Sequence, residues 1–279
     1  MKKLIVVLLI ALLTLTSVCF TGCGDKSNTI TVCASELPHA DILNNCVAEI
    51  LEEQGYKLEV KAVNWDMPNN SVVAGDYDAN YFQHIPYLEG PNGSDKLFAA
   101  CKVHYEPLGI YKCDKNAENP TGAYSVAICN DNSNAIRALE LLYAKGYISS
   151  LPVSEGKLTF STQTTKVGDV TIVLIEENLL VPSMADYDYV CLPCNTALTG
   201  KVDQTLRVDR EDDAQLVSSM ANILAARIDD YNNDPSYKAK IDALTDALLS
   251  KTVADYVAQK WGGAITCDST TQIDLRPGK

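Results

Sequence analysis

"TITVCASELPHADILNNCVAEILEEQGYKLEVKAV", residues 29–63, holds both patterns from which the fold is built. TITVCAS (29–35) is a β-branched run and reads as a strand. In ADILNNCVAEILEE, Ile42, Leu43, Cys46, Val47, Ile50 and Leu51 recur at helical spacing, and Gly55 stops the helix. KLEVKAV (57–63) alternates polar and apolar, which is a second strand.

The same alternation continues outward. YSVAIC (124–129) reads as a strand, and NAIRALELLYAKG as a helix with Ile136, Leu139, Leu142 and Tyr143 inward. VTIVLI (170–175) and YDYVCL (187–192) complete a second strand set. In DPSYKAKIDALTDALLS, Asp234 is placed to cap a helix whose first residue is Pro235. AQLVSSMANILAAR (214–227) carries Leu216, Val217, Met220, Ala221 and Leu224 at helical spacing, so periodicity alone predicts helix throughout. No repeat of fixed period appears, and NAENPTG (116–122) is the best internal linker. The expectation is α/β, with helices flanking largely parallel sheets.

The N-terminus addresses the compartment. MKK precedes an apolar run of ten residues (4–13), too short to span a bilayer but suited to a signal-peptide core. The run leads into VCFTGCG, where Phe20, Thr21 and Gly22 precede Cys23, and the polar tether GDKSN follows. This reads as a signal peptide over 1–22 and a lipidated Cys23 with a tether over 23–28. A plain secretory signal or an uncleaved anchor is the competing reading.

With 36 acidic and 23 basic residues the chain carries a formal charge of −13. Such a surface argues against nucleic acid or an anionic membrane face as a partner. Eight cysteines follow Cys23, most of them inside apolar runs where Cys behaves as a small hydrophobe. Only CLPC (191–194) approaches a redox or metal spacing. A redox pair there would have to open a helix, whereas DYDYVCLPCNTAL reads as a strand running into a loop.

Two stretches could carry recognition. ANYFQHIPYLE (79–89) concentrates three aromatics, a His and a Gln; read as a strand, it puts Asn80, Phe82 and His84 on one face and Tyr81 and Gln83 on the other. In CNDNSNAIRAL (129–139) a strand ends, a helix begins near Ser133 or Asn134, and Arg137 falls in its first turn. A cation there opposes the helix dipole, which makes sense if an anion binds at the same end. Pairing of Arg137 with Glu140 or Asp131 on the surface is an equal alternative. No hydrolase, zinc-protease, phosphate-loop or dinucleotide motif occurs. His39, His84 and His104 are the only imidazoles, too scattered along the chain to suggest a site.

ITVCASELPHADIL, DANYFQHIPYLE, EPLGIY, NDNSNAIRAL and NILAAR occur in the order expected of the methionine-binding lipoprotein family, and the chain resembles it from about residue 29 to 267. Those proteins are the substrate-binding components of methionine ABC importers. The resemblance implies a two-lobe, type II periplasmic-binding-protein-like fold with a ligand cleft between the lobes. Lobe 1 would hold 24–117 and 206–279, and lobe 2 would hold 118–205. It also implies that 221–227 is a returning strand, against the helical period.

The ligand wall implied is Asn80, Tyr81, Phe82 and His84, extended by Trp65, with Asn134 and Arg137 on the other lobe. Arg137 matches the family's carboxylate-binding arginine, and Asn195 matches one of two Asn near the ligand amine. Pro193 stands where the other belongs, so a dipeptide, another amino acid or a modified methionine competes with methionine as the ligand. The implied protein is a monomer that partners an ABC permease, sits on the membrane through its lipid, needs no cofactor or metal and is no enzyme. Two competing classes are a surface thiol–disulfide oxidoreductase using Cys191 and Cys194, and an adhesin with a vestigial cleft.

Overall fold

The computed structural model of the chain describes residues 28–63, 67–113 and 122–278. The signal segment, Cys23, Trp65 and nearly all of the expected linker lie outside the described residues. In chain order the strands are β1 (Thr29–Ala34), β2 (Lys57–Ala62), β3 (Ala79–His84), β4 (Leu97–His104), β5 (Leu108–Lys112), β6 (Tyr124–Cys129) and β7 (Val153–Ser154). They continue as β8 (Lys157–Leu158), β9 (Thr164–Val167), β10 (Val170–Ile175), β11 (Tyr189–Pro193), β12 (Arg207–Arg210), β13 (Asn222–Arg227) and β14 (Ile273–Asp274).

They sort into two six-stranded sheets, ordered β14-β4-β13-β3-β1-β2 and β12-β5-β11-β6-β10-β9, and a small β7–β8 ribbon. Both sheets are mixed rather than largely parallel. β2, β1 and β3 run parallel, but β13 is antiparallel to both β3 and β4. In the second sheet β10, β6 and β11 run parallel, while β9, β5 and β12 pair antiparallel. Each sheet has its own core, the first built on Ile30, Val32, Leu43, Leu51 and Leu244, the second on Ile110, Val126, Ile128, Leu139 and Ile172. Two lobes follow from two cores.

Local chemistry explains most elements. The helix Ala48–Glu53 is entered through two wider-turned segments, Glu36–Ala40 and Leu43–Val47, and Gly55 leaves it at φ +84°, a value that suits glycine. Asp234 caps Pro235–Leu248 by accepting from the Ser236 and Tyr237 amides, as expected. In the helix Asn132–Ala144 the inward face is Ala135, Ala138, Leu139, Leu141 and Leu142; Ile136 is only half-buried and Tyr143 is 50% exposed.

The segment 214–227 divides. Ala214–Ser219 is helix, and Asn222–Arg227 is the buried central strand β13. A strand covered on both faces is apolar at every position, so its periodicity cannot distinguish it from a buried helix.

The chain crosses between lobes twice, through Tyr105–Pro107 and through the run from Glu211 to Ala221. β5 and β12 both belong to the second sheet, where they pair with each other and β5 pairs with β11. The boundaries expected at 117 and 206 therefore move to about 105–107 and 211–221, because the crossing chain enters the ladder of the second sheet at once.

Candidate functional site

β3 carries the first wall. Its pairing with β13 shifts register, with Gln83 opposite Ile223 and Tyr81 opposite Leu224, so Phe82 is the extra residue of a bulge. A bulge reverses the in–out alternation beyond it. The expected sharing of one face by Asn80, Phe82 and His84 is thus overturned: Asn80 and Gln83 come together instead. Asn69 and Gln83 exchange hydrogen bonds (Nδ2 to Oε1 3.0 Å, Nε2 to Oδ1 2.7 Å), and Asn80 donates to Asn69 Oδ1 at 3.0 Å. This buried amide cluster braces the wall from behind. Tyr81 faces the lobe 1 core, its hydroxyl bonded to His104 Nδ1 and its ring edge-on to His39.

His84 ends β3 and caps the helix Ile85–Leu88, its Nδ1 accepting from the Tyr87 amide at 3.2 Å. The proton therefore sits on Nε2, which donates to Asn134 Oδ1 at 3.1 Å, across from lobe 1 to lobe 2. Burial, with the Arg137 charge nearby, lowers the His84 pKa to about 4, so the ring is neutral at pH 7. Asp131 caps the facing helix by accepting from the Asn134 amide, and it also accepts from Asn134 Nδ2, which fixes that side chain.

The structure places Arg137 in the second turn of Asn132–Ala144, not the first, so no dipole penalty arises there. Its partner is neither Glu140 nor Asp131. Nε donates to Glu211 Oε1 at 2.7 Å, and Nη2 donates to Glu211 Oε2 at 2.5 Å and to the Glu106 carbonyl at 2.7 Å. Glu211 also accepts from the Tyr105 hydroxyl at 2.6 Å and the Leu108 amide at 2.8 Å. Burial works against the Arg137 charge, but the Glu211 contacts outweigh it and raise its pKa. The pair clamps the lobe 2 helix to both crossings.

Two of the three scattered histidines converge, on Glu106. His104 Nε2 lies 2.9 Å from Glu106 Oε1, and His39 Nε2 lies 3.7 Å from that same oxygen. His39 also bonds Ser35 Oγ at 2.6 Å and Asn222 Oδ1 at 3.0 Å, and burial lowers its pKa to about 4. Burial opposes the Glu106 charge as well, yet the His104 hydrogen bond prevails and its pKa is lowered. His39, His104 and Glu106 bring ligand-type atoms within 4.8 Å of one another, the one such trio among the described residues. Their hydrogen bonds occupy those atoms, so a metal ion would have to displace the network.

Phe82, His84, Glu106, Asn134 and Arg137 enclose a cavity with Tyr87, Gln83, Pro193 and Asn222. It amounts to about 20 Å³, room for about one water and far below a usual ligand pocket. A ligand must part the walls. A wider hollow of about 430 Å³ lies beside Ile85–Leu88 and β4, but its lining comes from lobe 1 alone. Of the expected site residues, Phe82, His84, Asn134 and Arg137 meet at the cavity; Asn80, Tyr81 and Asn195 do not line it.

Asn195 is buried, and its Oδ1 has no hydrogen-bond partner. It sits in the helix Cys194–Thr199, which follows β11 directly where a loop was expected. CLPC therefore does open a helix at Cys194. Both thiols are buried and in no disulfide, and burial raises the Cys191 pKa, which disfavours the thiolate that redox exchange requires. Glu106 and Glu211 escaped sequence reasoning: the first precedes a proline, and the second opens the acidic run EDD, which reads as solvated surface.

Comparison with known proteins places this architecture. The methionine-binding lipoprotein MetQ of Bacillus subtilis is 31% identical over 276 residues, covering 95% of this chain and 98% of that protein. A nutrient binding protein from Burkholderia cenocepacia bound to methionine superposes with a TM-score of 0.73 at 24% identity, over 86% of this chain and 99% of that one. A periplasmic substrate-binding protein of an ABC transporter from Coxiella burnetii gives 0.72 at 23%, over 86% and 100%. At those identities the two structural likenesses concern the fold. No helix among the described residues is long and apolar enough to cross a membrane. The NlpA lipoprotein family model matches residues 30–267, the span that holds both lobes, both crossings and the cavity, and the chain belongs to that family.

Proposed function

We propose that this protein is a lipid-anchored, extracytoplasmic solute-binding protein that delivers methionine, or a related amino acid or dipeptide, to an ABC permease. The observation that carries the reading is the convergence of His84 from one lobe with Asn134 and Arg137 from the other around one closed cavity. Binding proteins of this build close two lobes on a ligand.

In this reading Phe82 and Tyr87, edge-to-face at 5.5 Å, take the apolar side chain. A thioether against such rings gains about 0.3–1.5 kcal/mol. The ligand carboxylate approaches Arg137 from its Nη1 side, outside the bonds to Glu211. Asn195, buried next to Pro193 with Oδ1 unpartnered, lies outside the closed cavity and joins the surroundings of the ligand amine only once the walls part. Asn80 and Tyr81 act as braces behind the wall. Cys23 carries the lipid, where two or three acyl chains make stable attachment. The role is binding, not catalysis.

Native mass spectrometry of freshly purified protein tests the reading directly. A co-purified mass of methionine, an amino acid or a small peptide is expected, with calorimetric binding of the same compound. No such mass, and no heat with methionine or methionyl dipeptides, refutes it.

A further inference from the structure

Three formally charged side chains govern the cavity's electrostatics. Arg137 and Glu211 meet through two contacts, 2.7 and 2.5 Å, and cancel each other. Glu106 remains. Its Oε1 accepts from His104 Nε2 at 2.9 Å, while Oε2 has no hydrogen-bond partner among the described residues. The side chain is only 12% exposed and borders the cavity. His104 supplies Glu106 with one hydrogen bond, and its Nδ1 is bonded to the Tyr81 hydroxyl. His39 and His84, their pKa lowered to about 4 by burial, are neutral at pH 7. A largely buried carboxylate at the cavity, with one oxygen unmet by the protein, is placed to accept from a ligand donor, and from a charged donor most strongly. Pro193, also at the cavity, offers no side-chain acceptor.

We infer that Glu106 is the acceptor for the ligand's ammonium, and that the cleft reads a free cationic amine more strictly than a free carboxylate. The inference rests on the solute-binding reading above and sharpens its ligand class. A ligand carboxylate meets a guanidinium whose Nε and Nη2 are already engaged and whose charge Glu211 offsets. Amidating that end removes little. Acylating the amine removes the cation that would meet the Glu106 carboxylate and sets a neutral amide against it, and the loss is large. The class is α-amino compounds with a free amine, including amides and peptides that begin with the recognised residue.

Calorimetry on the detergent-solubilised full chain with L-methionine, L-methionine amide and N-acetyl-L-methionine reads the two ends separately. The amide should bind within about tenfold of methionine, and the acetylated compound at least about thirtyfold more weakly. Glu106→Gln should weaken methionine and its amide by at least about thirtyfold and narrow their lead over the acetylated compound. The ligand series on the unaltered protein stands even if that variant folds poorly. An acetylated ligand that binds as tightly as methionine, or an amide lost as fully as the acetylated one, overturns the inference alone. Binding of none of the three overturns the solute-binding reading along with it.

Discussion

Replacing Glu211 with alanine is the sharpest perturbation of this molecule. The side chains of Glu211 and Arg137 are 1% and 5% exposed, and Glu211 accepts four hydrogen bonds, from Arg137 Nε and Nη2, Tyr105 and Leu108. Removing one partner of a buried ion pair costs about 3–5 kcal/mol, because the other charge stays buried without compensation. The stranded Tyr105 and Leu108 donors add about 1 kcal/mol or more each where water does not reach them. Against a total stability of about 5–15 kcal/mol, a loss near 5 kcal/mol is severe. Urea denaturation should show it as a lower midpoint at unchanged slope. The double variant Arg137→Ala/Glu211→Ala should be less destabilised than the sum of the single variants, by more than about 1 kcal/mol. Glu211→Gln, which keeps an acceptor but drops the charge, uncovers the guanidinium and should raise the preference for methionine over its amide by about tenfold. A loss below about 1 kcal/mol for Glu211→Ala, with additive single variants, would refute the clamp.

Three further outcomes are expected. Acid should destabilise the protein: His39 and His84, lowered from 6.5 to about 4, bind fewer protons folded than unfolded, so their stabilisation is complete above 6.5 and lost as pH falls towards 4. Glu177, raised from 4.5 to about 7 by burial, has the opposite sign and offsets about one of them. The net loss from pH 7 to 5 is about 1–2 kcal/mol, growing to about 4 kcal/mol in Glu177→Gln; unfolding curves at the two pH values check it, and a gain on acidification contradicts it. Asn69→Ala should cost about 2–4 kcal/mol, since it strands Asn80 and Gln83 in a dry amide cluster; a loss under about 0.5 kcal/mol in thermal or urea melts would show the cluster to be solvated. A thiol reagent should titrate fewer than one of the eight described cysteines in the native state and all eight in denaturant, while Cys191→Ser/Cys194→Ser keeps ligand affinity; rapid native labelling of either CLPC thiol would revive the redox alternative.

Much of the first sheet was legible before any coordinates. β1 and β2 and the Asp234 cap occupy the expected residues because each is a local signal: β-branching, alternation, and a carboxylate before proline. β13 was not legible from its period, since a strand buried on both faces has no polar side to report. The bulge at Phe82 was invisible for a related reason. It depends on how β13 pairs across, not on the residues of β3.

By itself the sequence determined the layered α/β class, the acidic composition, the short apolar run before Cys23 and the placement of Arg137 on a helix. Those follow from composition, from periods of two and 3.6, and from spacings within about twenty residues. Tertiary structure alone decided which groups share one desolvated space. It put Glu211, 74 positions away, onto Arg137, and gathered His39 and His104 about Glu106. It also joined His84 to Asn134 across the cleft, 50 positions apart. The physical reason is burial: a carboxylate in an acidic run reads as solvated surface until the fold removes its water, and only then does its one available cation become its partner.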